Sequence, residues 1–176
     1  TFIDAHIGIG GLKIDSRRNH AAGNLNGNRN GKQIFGSFVY GGEFIRKDLN
    51  ISPYGRIDLG YTILDEYLDS GKISALKYNE MKVETSKSSF GFLINHSYEI
   101  DNLKLKPFSR LEYGRGSVYS NDSIVSYYTA YPNINYTHKG ENKLSDNYRF
   151  TIGTDLDIGK NWIYSASFER NEEIDS

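Results

Sequence analysis

The side chains best suited to chemistry sit in two matching segments, Pro53-Tyr-Gly-Arg-Ile-Asp-Leu-Gly60 and Pro107-Phe-Ser-Arg-Leu-Glu-Tyr-Gly114, set 54 residues apart. Each places an arginine two residues before a carboxylate, Arg56/Asp58 and Arg110/Glu112. In an extended strand alternate residues share a face, so each segment carries an ionic row on one side and an apolar row on the other. Such a row can line a wet passage and touch whatever moves through it. It can also pair with neighbouring strands, at about 0.2–1 kcal/mol per pair.

Other chemistry finds little support. The histidines, His6, His20, His96 and His138, lack ligand-like spacing, so no metal site is expected. No Gly-x-Ser-x-Gly elbow singles out a catalytic serine. Gly8-Ile-Gly-Gly11 precedes no helix and is not a phosphate loop. Cysteine is absent, which removes disulfides and thiol catalysis. No cofactor and no enzymatic role are expected.

The elements that position the ionic rows read as seven strands, near 2–14, 34–46, 51–64, 88–100, 105–118, 148–158 and 162–170, by period-two alternation and aromatic or β-branched enrichment. The predicted connections alternate long and short: Asp15–Gln33, Lys47–Asn50, Asp65–Lys87, Asp101–Lys104, Tyr119–Asn147 and Gly159–Asn161. An up-and-down meander then has one end of tight turns and one of long polar loops, the asymmetry of outer-membrane barrels. A Greek-key sandwich mixes loop lengths at both ends. The fold expected is all-β: an antiparallel meander forming part of a transmembrane β-barrel. Tyr127–His138 has room for a further hairpin. Tyr67–Lys82 alone shows partial helical spacing, weakened by Gly71.

On this reading Ile57, Leu59, Tyr61, Leu111, Tyr113, Phe150 and Ile152 face lipid, and Arg56, Asp58, Arg110, Glu112, Arg149 and Asp155 face a lumen. Strand 34–46 fits poorly, since Phe35 and Val39 oppose Phe38, Tyr40 and Phe44; a bulge near Gly41-Gly42 or burial on both faces is the expected remedy.

The chain has 176 residues, formal charge −1 and no linker-like tract, so a single domain, 1–176, is expected. No basic stripe with interleaved aromatics points to nucleic acid. Lys13, Arg17, Arg18, Arg29 and Lys32 make the first long loop basic, facing either solvent or acidic lipopolysaccharide or another polyanion. No run of eighteen apolar residues forms a membrane helix, and no signal peptide opens the chain.

Residues Ile51–Gly71 resemble the autotransporter β-domain, the translocator of type V secretion: a Pro-aromatic start, a charged inner row, a Tyr-Thr step and an acidic-Ser-Gly stretch entering an extracellular loop. Ser89–Leu93 and Leu105–Tyr113 are similar to its next two strands, and Phe2–Arg18 and Arg149–Phe168 to flanking ones. The resemblance implies a twelve-stranded barrel in a Gram-negative outer membrane, plugged by an N-terminal helix, that exports its own passenger domain. Outer-membrane lipid, lipopolysaccharide and the barrel-assembly machinery would be its partners. Seven strands then represent a fragment lacking the N-terminal strands and helix and the C-terminal strand. Some members cleave their passenger with barrel carboxylates; Asp58, Glu112 and Asp155 are not assigned that role. The alternatives are a stand-alone outer-membrane porin or adhesin whose loops bind surface ligands, and a soluble β-sandwich binding module. The sandwich would bury Ile57, Leu59 and Leu111 in a core.

Overall fold

The computed structural model describes residues 1–20, 23–70, 75–101, 103–127, 134–158 and 162–175. Its strands are β1 (Phe2–His20), β2 (Gly23–Gly41), β3 (Phe44–Arg46), β4 (Leu49–Leu64), β5 (Tyr67–Leu68), β6 (Leu76–Tyr78), β7 (Met81–His96), β8 (Tyr98–Ile100), β9 (Leu103–Ser120), β10 (Ser123–Tyr127), β11 (Asn135–His138), β12 (Asn142–Ile158) and β13 (Trp162–Asp175). Seven of them, in the order β1-β2-β4-β7-β9-β12-β13, form an antiparallel up-and-down sheet curled into a half-barrel. Each sequence-predicted strand is present.

At the turn end the connections are tight. Lys47 and Asp101 occupy the left-handed region (φ 54° and 53°) in the turns after β3 and β8, and Ser97 N–H donates to Asp48 O at 3.0 Å, tying the turn after β3 to the junction of β7 and β8. Lys104 donates a hydrogen bond to Glu99 at 2.7 Å across β8 and β9, which holds the Glu99 carboxyl below its ordinary range. A depressed carboxylate contributes stability that is complete above the unfolded value and is lost as pH falls through the folded one. Amide protection in this turn, measured against intrinsic exchange at each pH, is therefore expected to fall as pH drops below about 4.5, with protection of β2 and β4 unaffected; an equal fall throughout would refute this.

The loop end departs from the sequence reading. The first long loop, Asp15–Gln33, is instead a hairpin: β1 and β2 stay in register from Phe2↔Gly41 to His20↔Gly23. Alternation fades there because polar residues lie on both faces, yet the backbone ladder continues. The two other long loops contain a second sheet, β11-β10-β6-β5. The loop Tyr119–Asn147 does hold a hairpin, β10 with β11, but it starts at Ser123, before the anticipated Tyr127–His138; in Tyr67–Lys82, the stretch with partial helical spacing, β5 and β6 form, while 71–74 lie outside the described residues.

This small sheet docks on the inner side of the β1–β2 extension. Ser70 N–H donates to Asn26 O at 2.7 Å and Asn26 N–H to Ser70 Oγ at 3.2 Å. The Arg18 guanidinium donates to Asp69 at 2.7 Å, with the Asp69 side chain only 4% exposed. Arg29 donates to the carbonyls of Asp65, Leu64 and Asn79 and lies 5.5 Å over the Tyr67 ring; Tyr67 stacks on Tyr78 at 4.5 Å. Burial pulls the Arg29 pKa down and pushes the Tyr78 phenol up. Thus Arg18 and Arg29, expected as part of a basic loop, are structural; Lys13, Arg17 and Lys32 remain exposed. Asp69→Ala is expected to destabilise this docked sheet by about 2 kcal/mol, less than the cost of breaking a wholly buried pair because Arg18 is partly exposed. Hydrogen exchange in β5 and β6 should rise while β4 and β7 stay protected; unchanged β5 exchange would refute it.

Candidate functional site

Following the register across the main sheet separates two faces. One carries Ile7, Ile34, Ile57, Leu59, Tyr61, Phe90, Phe92, Leu111, Tyr113, Phe150, Ile152 and Phe168. The other carries Arg56, Asp58, Lys87, Arg110, Glu112, Arg149 and Asp155. Glu112, Ser89, Ser52 and Thr151 on the ionic face are buried, which marks that face as the inside of the curl. On the apolar face Ile57 is 49%, Leu59 58% and Leu111 51% exposed. Leu25 and Ala75 are the buried hydrophobics among the described residues, so the sandwich core that would bury Ile57, Leu59 and Leu111 is absent.

The apolar band runs obliquely. Toward the loop end its unbroken run stops at Ile9 on β1 and at Phe168 on β13, where Arg170 and Glu172 follow before Ile174, yet Phe168 lies in a row with Ile152, Ser109, Ile94 and Ile51. The edge of the band drifts by about ten residues over six strand steps. With ~3.3 Å per residue and ~4.8 Å between strands this is a tilt of roughly 45–50°, close to the 35–45° or so of membrane barrels. The near-repeat obeys the same rule. Ile57 lies opposite Ser88 and Ser88 opposite Arg115, whereas the repeat equates Ile57 with Leu111, four residues away along β9. Two residues of stagger per strand keep both copies level with the band.

Strand β2 needs no bulge. β3 continues the register of β2 on β4, from Gly41↔Tyr54 to Phe44↔Ile51. Phe38, Tyr40 and Phe44 lie on the apolar face; Phe35, on the inner face, sits over Gly8, where an added Cβ would meet its ring at 2.3 Å. Both repeat copies use this device: Tyr54 covers Gly91 and Phe108 covers Gly153, each on the following strand.

The centre of the inner face is one row, Tyr54–Gly91–Glu112–Arg149–Asn171. Because Gly91 has no side chain, Tyr54 reaches across it and its hydroxyl donates to Glu112 Oε2 at 2.7 Å. The other Glu112 oxygen lies 3.8 Å from Arg149 Nη1, and Arg149 Nε donates to Asn171 Oδ1 at 3.1 Å. The Glu112 side chain is 2% exposed, so its charge is held by these donors rather than by water.

Arg56 donates to Asp58 at 2.8 Å along one strand, not across strands. Arg110 shares a face with Glu112, but that carboxylate is engaged by Tyr54 and Arg149, and Arg110 Nε is buried without a hydrogen-bond partner among the described residues. Asp155 lies opposite Lys106, whose ammonium instead reaches Asp157 at 2.6 Å. Sequence reasoning missed Tyr54, Gly91 and Asn171; Tyr54 and Gly91 belong to the quoted motifs, but their union depends on inter-strand register. The described residues contain no group of three or more metal-ligating side chains.

The sequence matches the family model described as autotransporter beta-domain over residues 1–169. The chain belongs to the autotransporter β-domain family. It is accordingly part of a translocator-type barrel of a Gram-negative outer membrane. No curated protein matches it. Among solved structures, the autotransporter chain is similar to the RagAB peptide transporter (11% identity, TM-score 0.43, covering 85% of this chain and 18% of that one). It is similar also to the siderophore receptor PiuA from Acinetobacter baumannii (7%, 0.41, 85% and 29%) and the outer membrane transporter YddB from Escherichia coli (9%, 0.36, 97% and 32%). The chain spans less than a third of the length of each; the assignment rests on the family match.

Proposed function

We propose that this chain is the central part of a non-enzymatic translocator that exports its own passenger domain through a hydrophilic lumen. The observation that supports the reading is the inner face, where Tyr54, Glu112, Arg149 and Asn171 hold one another across strands in a single row, while the opposite face offers an oblique apolar band. The inner face, with Arg56, Asp58, Arg110, Glu112, Arg149 and Asp155, lines the passage; Ile57, Leu59, Tyr61, Leu111, Tyr113, Phe150 and Ile152 contact lipid. The edges β1 and β13 pair with further strands of a twelve-stranded barrel, since unpaired backbone in hydrocarbon costs several kcal/mol or so per group. Assembly by the barrel-assembly machinery follows from the same reading.

The test uses the full-length gene product with a passenger stalled by a disulfide loop. A photo-crosslinker at Asp58 should capture the passenger, and one at Ile57 should capture lipid. Capture of the passenger from Ile57 but not Asp58 would reverse the two faces, and capture from neither would remove the transport reading.

A further inference from the structure

We infer that the small sheet β11-β10-β6-β5 is a hinged cover, creased inward over the surface end of the passage, which swings aside when the passenger emerges. The inference rests on the reading above, in which the wall encloses a passage and its loop end points out of the cell.

Four neighbouring strands break at one level. The gaps fall at 65–66 between β4 and β5, at 79–80 between β6 and β7, at 121–122 between β9 and β10, and at 139–141 between β11 and β12. Pairing then resumes with as many residues skipped on one strand as on its partner: Leu64↔Met81 is followed by Tyr67↔Tyr78, Val83↔Ser120 by Tyr78↔Val125, and Asn142↔Tyr119 by Ser123↔His138. The faces, however, change over. Strict alternation from the inward Leu64 would turn Tyr67 outward, yet the Tyr67 ring lies under the Arg29 guanidinium, and a Cβ added at Gly27 on the inner face would meet that ring at 2.5 Å. Tyr78 stacks on Tyr67, and Val125 and Tyr136 continue the same row. A ladder that keeps its register while its strands exchange faces along one line is a crease.

The crease bends toward the inside. Its crook holds a cleft of about 410 Å³ lined by Arg29 and Met81 of the wall's inner face together with Tyr78, Val125 and Tyr136 of the small sheet. Side chains take over the backbone partners that the gaps remove: Asn121 Oδ1 accepts from Lys82 N–H at 2.6 Å, Asp122 Oδ1 from Gly140 N–H at 2.8 Å and Ser120 Oγ from Glu141 N–H at 2.8 Å. At the other end of the crease Arg29 donates to the carbonyls of Leu64, Asp65 and Asn79. The β1–β2 hairpin passes this level without a break and stands as a post. Above the crease the described residues hold the cover to that post by one β-bridge, Asn26↔Ser70, by the Arg18–Asp69 ion pair and by Arg29 over Tyr67. Such a seam is weaker than a full ladder, whereas four strands carry the chain through the crease. Opening therefore parts the seam first and turns about the crease.

The test uses the full-length gene product, with surface display of the passenger read by protease treatment of intact cells. Asn26 and Ser70 face each other directly, at about 5.5 Å between Cα atoms, within reach of a disulfide, and this chain has no cysteine of its own. Asn26→Cys/Ser70→Cys should lose surface passenger in cells grown without reductant and regain it with a membrane-permeant thiol. Ser86→Cys/Ser117→Cys staples β7 to β9 within the wall, where the two hydroxyls lie 2.8 Å apart, and should display the passenger in both media. Display by Asn26→Cys/Ser70→Cys despite a formed disulfide, or failure of that disulfide to form in the folded barrel, overturns the cover. If this variant does not fold, as judged by heat-modifiable gel mobility, the native chain decides. A stalled passenger should then speed amide exchange at Asp69 and Ser70, which donate to Leu76 and Asn26, while β4 and β7 stay protected; unchanged exchange at both overturns the cover. Surface passenger missing even from the native chain would remove the transport reading and the cover with it.

Discussion

Gly91→Phe is expected to cost the barrel about 4 kcal/mol, the largest effect of any single replacement considered for the main sheet. A Cβ at Gly91 would lie 2.7 Å from the Leu111 carbonyl oxygen and 2.8 Å from the Tyr54 ring and hydroxyl. The backbone oxygen cannot swing away as a flexible side chain would. Overpacking of this kind costs about 1–3 kcal/mol. The displaced Tyr54 also loses its hydrogen bond to the Glu112 carboxylate, worth about 1.5–3 kcal/mol for a charged acceptor. Tyr54→Phe separates the two effects, because it keeps the ring over Gly91 and removes only the donor. Gly55→Ala, where the nearest atom to the added Cβ is Ser89 O at 3.9 Å, should be tolerated. The measurement is urea unfolding of the full-length gene product in phospholipid vesicles. If Gly91→Phe unfolds at the same urea concentration as Gly55→Ala, the row across Gly91 is not the structural centre described.

A charge at Ile57 should be nearly as damaging, and one residue later the outcome should be opposite. Ile57 stands at the middle of the β4 apolar run from Ile51 to Ile63, with Phe38 and Ser88 as its neighbours in the row. Arginine at the bilayer midplane of a barrel costs about 2–4 kcal/mol, so Ile57→Arg should unfold at clearly lower urea. Asp58→Asn keeps the shape of a side chain on the inner face and gives up a half-exposed ion pair with Arg56, worth at most about 1 kcal/mol. The contrast between adjacent positions is the signature of a two-faced strand. Equal losses at both would mean that neither face meets hydrocarbon.

The sequence made the alternation plain wherever the two faces meet different surroundings, as in Ile51–Leu64 or Tyr148–Ile158, because each face then selects its own residue types. Beyond the apolar band that selection disappears. In Asp15–Gln33 one face meets water and the other the polar groups of the small docked sheet, Asn and Gly replace the pattern, and nineteen-residue strands look like strands followed by a loop. The ionic rows were legible as Arg-x-Asp and Arg-x-Glu. Their partners were not, since the Tyr54–Glu112 contact joins residues 58 apart through a register that no local pattern specifies. Phe35 looked misplaced for the same reason: the glycine beneath it is on another strand. In Tyr67–Lys82 the described pieces β5 and β6 have a spacing that suits either a helix or paired strands, and the pairing of β6 with β10 decided it.

The four-residue offset between the two copies of the Pro-aromatic-x-Arg motif bears on how such a wall can change in size. Each strand–turn–strand module brings its own stagger, equal to the descent that the tilt demands across two strands. A further module of the same stagger can therefore be spliced in, or one lost, and every other strand stays immersed to the same depth. A module with a different stagger would slide all later strands vertically and push charged rims into the hydrocarbon. Wall circumference is thus free to vary in whole modules, while the length of each module is held by the thickness of the film it spans.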